Sequence, residues 1–125
     1  MSQSINLDIA KRVDITCRKG DTFSVALTFT QENGDDMDVS NHAFKMAVKE
    51  TDTSVGDVIS TSEFIYSVDP ANVLTIQCQY DVMESKSAGI YVYDLQSKEG
   101  SIVRTWIYGV FKINEDVSEG WAILQ

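Results

Sequence analysis

Apolar residues in this chain recur with a period of two, the spacing of a strand with one buried face. The clearest run is Thr22 to Thr30. Phe23, Val25, Leu27 and Phe29 fall on one side, and Thr22, Ser24, Thr28 and Thr30 on the other. Phe44, Met46 and Val48 alternate in the same way with Lys45, Ala47 and Lys49, and Leu74, Ile76 and Cys78 share one face of Val73 to Gln79. The densest strand signal is Ser87 to Gln96. Tyr91, Tyr93 and Leu95 lie on one face there, and Ile90, Val92 and Asp94 on the other. Both faces begin apolar, as for a strand in the middle of a sheet. Val103 to Ile113 returns as a long strand, reading Trp106, Tyr108 and Val110 against Ile107, Phe111 and Ile113. Gly109 in its middle marks a bulge or a close approach of another backbone.

The remaining segments are weaker. Ile5, Leu7 and Ile9 alternate with polar residues, and so do Val13, Ile15 and Cys17. Lys11-Arg12 shifts the phase between them, which predicts a bulge or a strand that changes sheets. Arg18 to Asp21, Asn33-Gly34, Ser40 to His42, Asp69 to Asn72 and Ser97 to Gly100 read as turns. Met37 and Val39 predict a short strand. Val58-Ile59 and Phe64 to Tyr66 predict a weak or edge strand. Asp81 to Lys86 is the one helical turn, with Asp81 as its cap. About seven to nine short strands with turn signals every 8–12 residues predict an all-β, immunoglobulin-like antiparallel β-sandwich with at most one helical turn. Residues 1–125 read as a single domain, with 115–125 as a C-terminal tail. An aromatic just inside a strand after a turn, as in Ala88 to Tyr93, matches the tyrosine corner of such sandwiches.

Composition narrows the function classes. Nineteen acidic against ten basic residues give 125 residues a net charge of −9. Nucleic acid and anionic membranes call for clustered positive charge, so neither is an expected partner. Met1 to Ser4 lacks the features of a signal peptide, and no run approaches the roughly 18 apolar residues of a membrane span. Cys17 and Cys78 read as reduced apolar residues, a bridge between them being the alternative.

The chemistry-bearing residues are sparse. His42 is the only histidine and reads as a solvated turn residue with no catalytic partner. Glu32, Asp35, Asp36 and Asp38 form an acidic hairpin tip, but without the regular spacing of a calcium loop. No phosphate loop, dinucleotide fingerprint or zinc motif is present. No catalytic, cofactor-binding or metal-ligating residue is expected. The candidate contact residues are Ile5, Leu7, Lys11 and Arg12 near the N-terminus and Trp121, Ile123 and Leu124 in the apolar tail, because exposed apolar and unbalanced basic patches mark interfaces.

Ile5 to Ile9, Arg18 to Phe23, Phe44 to Glu50, Ala88 to Gln96 and Tyr108 to Ile113, in that order, resemble small structural proteins of tailed phages. The relevant group is the N-terminal domain of the baseplate upper protein and its relatives. The resemblance spans most of the chain and implies an immunoglobulin-like sandwich that serves as a tail, baseplate or adaptor component. Its implied partners are other phage structural proteins and copies of itself, as a homo-oligomer. Its implied place is the virion, after synthesis in the host cytoplasm. The chain ends soon after the domain, so it departs from the larger members in lacking a fibre region. A carbohydrate- or host-surface-binding module is the alternative. In it Trp106, Tyr108 and Trp121 would form an exposed aromatic platform. A small hydrolase is the remote third reading.

Overall fold

The computed structural model describes residues 10–117. Among these residues eight strands form two sheets: β1 (Lys11–Arg12), β2 (Ile15–Arg18), β3 (Phe23–Thr28), β4 (Ala43–Lys49), β5 (Ile65–Val68), β6 (Val73–Cys78), β7 (Gly89–Glu99) and β8 (Ile102–Asn114). The larger sheet has the order β1-β8-β7-β4, with β2 also on β8; the smaller is β3-β6-β5. The pairs within the sheets are antiparallel except where β1 and β2 run parallel to β8. This is the strand arrangement of an immunoglobulin-like sandwich, and the all-β expectation holds. Tyr91 completes the pattern, since its hydroxyl donates to the carbonyl of Ser87 across 2.7 Å as a tyrosine corner.

The core lies between the sheets and is built from the alternations read in the sequence. Phe23, Phe29, Met46, Val48, Leu74, Ile76, Cys78, Tyr91, Tyr93, Leu95, Phe111 and Ile113 are all buried. Fully burying one such aliphatic or aromatic side chain contributes roughly 1.5–3 kcal/mol. Phe111 sits centrally, with ring centroids 5.4 Å from Phe23 and 6.1 Å from Tyr93. The Ser87 to Gln96 stretch is indeed internal, paired with β4 on one side and β8 on the other.

Several local expectations are corrected. The alternation of Ile5, Leu7 and Ile9, from which Lys11-Arg12 would mark a bulge or a change of sheet, lies outside the described residues. β1 and β2 keep one register along β8, Lys11 opposite Ile107 and Ile15 opposite Phe111, and only Val13-Asp14 interrupts them. The cause is a side chain, because the Asp14 carboxylate accepts the Val110 N–H at 3.0 Å. Met37 to Val39 is not a strand; Val39 is buried in the core, and its N–H donates to Ala71 O at 2.8 Å. The helical turn α1 (Tyr80–Glu84) is capped by Gln79, with Asp81 inside its first turn. A 3₁₀ turn at Thr61–Glu63 adds a second short helical piece. The β7–β8 hairpin is tighter than read, since β7 runs on through Ser97 to Glu99.

Of the two alternatives at Gly109, the close approach holds: an added Cβ would stand 2.7 Å from the Val13 carbonyl oxygen. The bulge falls further up, where Leu95 faces Ile107 and Gln96 faces Thr105. Trp106 is the extra residue. It turns toward the core beside Ile107 rather than outward beside Tyr108.

Among the described residues no helix is long and apolar enough to cross a membrane.

Candidate functional site

Of the seven candidate contact residues, Ile5, Leu7, Trp121, Ile123 and Leu124 lie outside the described residues. Lys11 and Arg12 form β1 and are exposed. Arg12 Nε donates to Asp14 at 3.2 Å.

His42 is not the solvated turn residue that its neighbours suggest. Its side chain is only 8% exposed, with Nε2 3.5 Å from Glu99 Oε2 and Nδ1 3.3 Å from Ser97 Oγ. The ring stacks on Phe44. Serine, histidine and glutamate in a row invite a nucleophilic reading. Ser97 excludes it. It is buried on the inner face of β7, and its Oγ already accepts the Trp106 indole N–H at 2.8 Å. A nucleophile must reach substrate, and this oxygen faces the core. The cluster instead fixes one end of the sandwich and satisfies its polar atoms. His42 pairs with residues 55 and 57 positions away, so no local motif could reveal it.

The same bonds dispose of the aromatic platform. Trp106 packs edge-on to Phe29 at 5.0 Å, and the Arg104 guanidinium covers the ring at 4.7 Å. It shares no face with Tyr108, and Trp121 is outside the described residues.

At the acidic hairpin tip, the Asn33 side chain accepts the Asp35 N–H at 2.9 Å and donates to its carboxylate. This is a side-chain-stabilised turn. Among the described residues no three histidine, cysteine or acidic side chains gather as metal ligands. Cys17 and Cys78 are free thiols, one in each sheet. Burial pushes each up to about 11.

The outer face of the larger sheet carries a groove instead. It is ≈ 840 Å³ in volume and runs across β4, β7, β8 and β1. Alternation sets its lining: while Met46, Tyr93 and Leu95 point inward, Lys45, Lys49, Asp94 and Gln96 point out, with Tyr108 directly opposite Asp94. Ala47, Val92 and Val110 form an apolar strip, and the segment after β4 supplies Glu50, Asp52 and Asp57 along one rim. Lys49 lies 3.9 Å from Asp57. Asp94 is half-buried, and burial raises its carboxyl above the usual range against the opposing pull of Lys45 and Lys49. The sequence signal for this groove was visible only as polar residues on the second face of the central strand.

No protein-family model matches the chain, and no curated protein matches it by sequence. Similar solved structures include the titin M3 domain, at 6% identity over 84% of this chain and 91% of that one, with a TM-score of 0.47. A family 123 glycoside hydrolase from Clostridium perfringens, described for glycolipid glycan hydrolysis, is similar at 13% identity over 92% of this chain. The match covers 24% of the hydrolase, with a TM-score of 0.38. Neither likeness bears on what this chain does.

Proposed function

We propose that this chain is a non-enzymatic structural protein of a tailed-phage virion, a tail, baseplate or adaptor component. It docks on neighbouring virion subunits and on copies of itself. The virion setting rests on the sequence resemblance. The docking role rests on one observation, the unequal guarding of the sheet edges. Proteins blunt exposed edges with charge, proline or cover, because a bare edge pairs with other chains. In the larger sheet, β4 carries Lys45 and Lys49 and is bridged by Ile59, while β1 and β2 carry Lys11, Arg12 and Arg18. Among the described residues, β3 and β5 are the two edges of the smaller sheet, and neither contains a charged residue. Ile65 on β5 is 46% exposed. Uncharged edges in a chain of net charge −9 favour strand pairing between subunits, and repeated copies add avidity.

Sedimentation velocity tests this. The wild type is expected to form a discrete homo-oligomer that Ala26→Lys and Ser67→Lys together dissociate, since both positions are exposed on these edges. A wild-type chain that stays monomeric at high micromolar concentration would sink the self-docking reading.

A further inference from the structure

We propose that the groove across β4, β7, β8 and β1 binds a neutral, hydroxyl-rich ligand, a short glycan. Asp94 serves as hydrogen-bond acceptor at its floor, and Tyr108 as the ring on which an apolar sugar face rests. Three observations carry this. The groove has the volume of a small-molecule site, and four strands give it a span of roughly 14 Å. Its charges are interleaved and nearly balanced, the bases Arg12, Lys45 and Lys49 against four acids, Asp94 among them. An ion of either sign would meet as much repulsion as attraction there. A hydroxyl both donates and accepts, so it suits every one of these side chains. Finally, no described residue donates a hydrogen bond to the Asp94 carboxylate, which only the fields of Lys45 and Lys49 offset. A half-buried carboxylate with no protein donor is free to accept a ligand hydroxyl without breaking a bond inside the fold. The apolar strip of Ala47, Val92 and Val110 then matches the C–H faces of sugar rings, next to the 40% exposed ring of Tyr108.

This inference is independent of virion assembly, whose proposed edges lie in the other sheet. The probe is a glycan microarray carrying neutral and anionic glycans. It is followed by ¹H–¹⁵N NMR titration with the most strongly retained neutral glycan. Expected are retention of neutral glycans and shifts confined to amides around Ala47, Val92 to Gln96 and Tyr108 to Val110. Asp94→Asn and Tyr108→Ala should each weaken binding by about tenfold or more at unchanged circular dichroism. Gln96→Ala, another outward position, gives a third reading of the same surface. The Ala26→Lys/Ser67→Lys protein should bind glycan as the wild type does. Retention of anionic glycans alone, shifts located elsewhere, undiminished binding by the groove variants, or no retained glycan would each overturn the proposal.

Discussion

The hydroxyl of Tyr93 reaches past β8 to donate to the backbone carbonyl of Val13, 80 positions earlier in the chain. It can do so because its partner across the sheet is Gly109, which places no side chain in the way. Burial, helped by the Asp14 charge, pushes the phenol up to about 12, so it remains a donor at any physiological pH. The Val13 carbonyl falls in the interruption between β1 and β2, where the Asp14 carboxylate takes the Val110 N–H that the ladder would otherwise offer it. Tyr93→Phe keeps the ring against Phe111 but leaves that carbonyl without its phenol donor. The expected loss is about 1–3 kcal/mol in chemical denaturation.

Gly109→Ala attacks the same junction from the other side. The new methyl would overlap two groups, the Val13 carbonyl and the Asp14 carboxylate, each at 2.7 Å. Asp14 can swing away, but the backbone cannot without lifting β1 and β2 off β8. The expected cost is about 1–3 kcal/mol. The Tyr93→Phe/Gly109→Ala double variant should lose less than the two single losses added, because either change alone already disturbs the bond from Tyr93 to the Val13 carbonyl. Additive losses would show that the two contacts act separately.

How far the sequence revealed this depended on range. Strict period-two runs placed β3, β4, β6 and β7 and their buried faces, since alternation is a property of neighbours along the chain. Gly109 was legible as special, yet its two possible meanings differ only in what stands opposite, and Val13 is 96 positions away. Trp106 went to the wrong face for that reason, as the bulge that turns it depends on its pairing with β7. His42 hides in the same way, with its partners Ser97 and Glu99 brought up by another strand. The groove was legible only in its ingredients, because the concavity belongs to four strands together.

Glu63 gives stability that acid removes. Its partial burial alone would raise its carboxyl, but the Lys86 ammonium at 2.8 Å and the Ser60 N–H at 3.0 Å outweigh that and lower it. A lowered native value means the unfolded chain binds more protons as pH falls. The contribution is therefore full above the ordinary glutamate range and vanishes as pH drops through the native value. Glu63→Gln should cost on the order of 1 kcal/mol at pH 7. The gap from the wild type should close in melts repeated at progressively lower pH; a gap that persists in strong acid would refute the ion pair as its source.

The two thiols should be silent in the native state. Cys78 is fully buried, and both are held near 11 by burial, so little thiolate exists at pH 8. A chromogenic disulfide reagent should label neither quickly in native protein, with half-exposed Cys17 the faster, and both at once in denaturant. Rapid native labelling of Cys78 would mean that β6 opens.

Asp94 should behave opposite to Glu63. Burial raises its native carboxyl value against the pull of Lys45 and Lys49, so the native state binds the extra proton. Stability then falls as pH rises from the ordinary aspartate range through the raised native value, and above it the ionised groove floor is a standing cost. Asp94→Asn should therefore melt higher than the wild type at pH 7 and no higher at pH 3. The same variant is expected to bind glycan worse. A residue that weakens the fold and strengthens a binding surface is kept for the surface, so a variant that gains stability and loses binding would tie the groove to function. A variant that gains stability with nothing lost would make Asp94 an incidental charge on an open sheet.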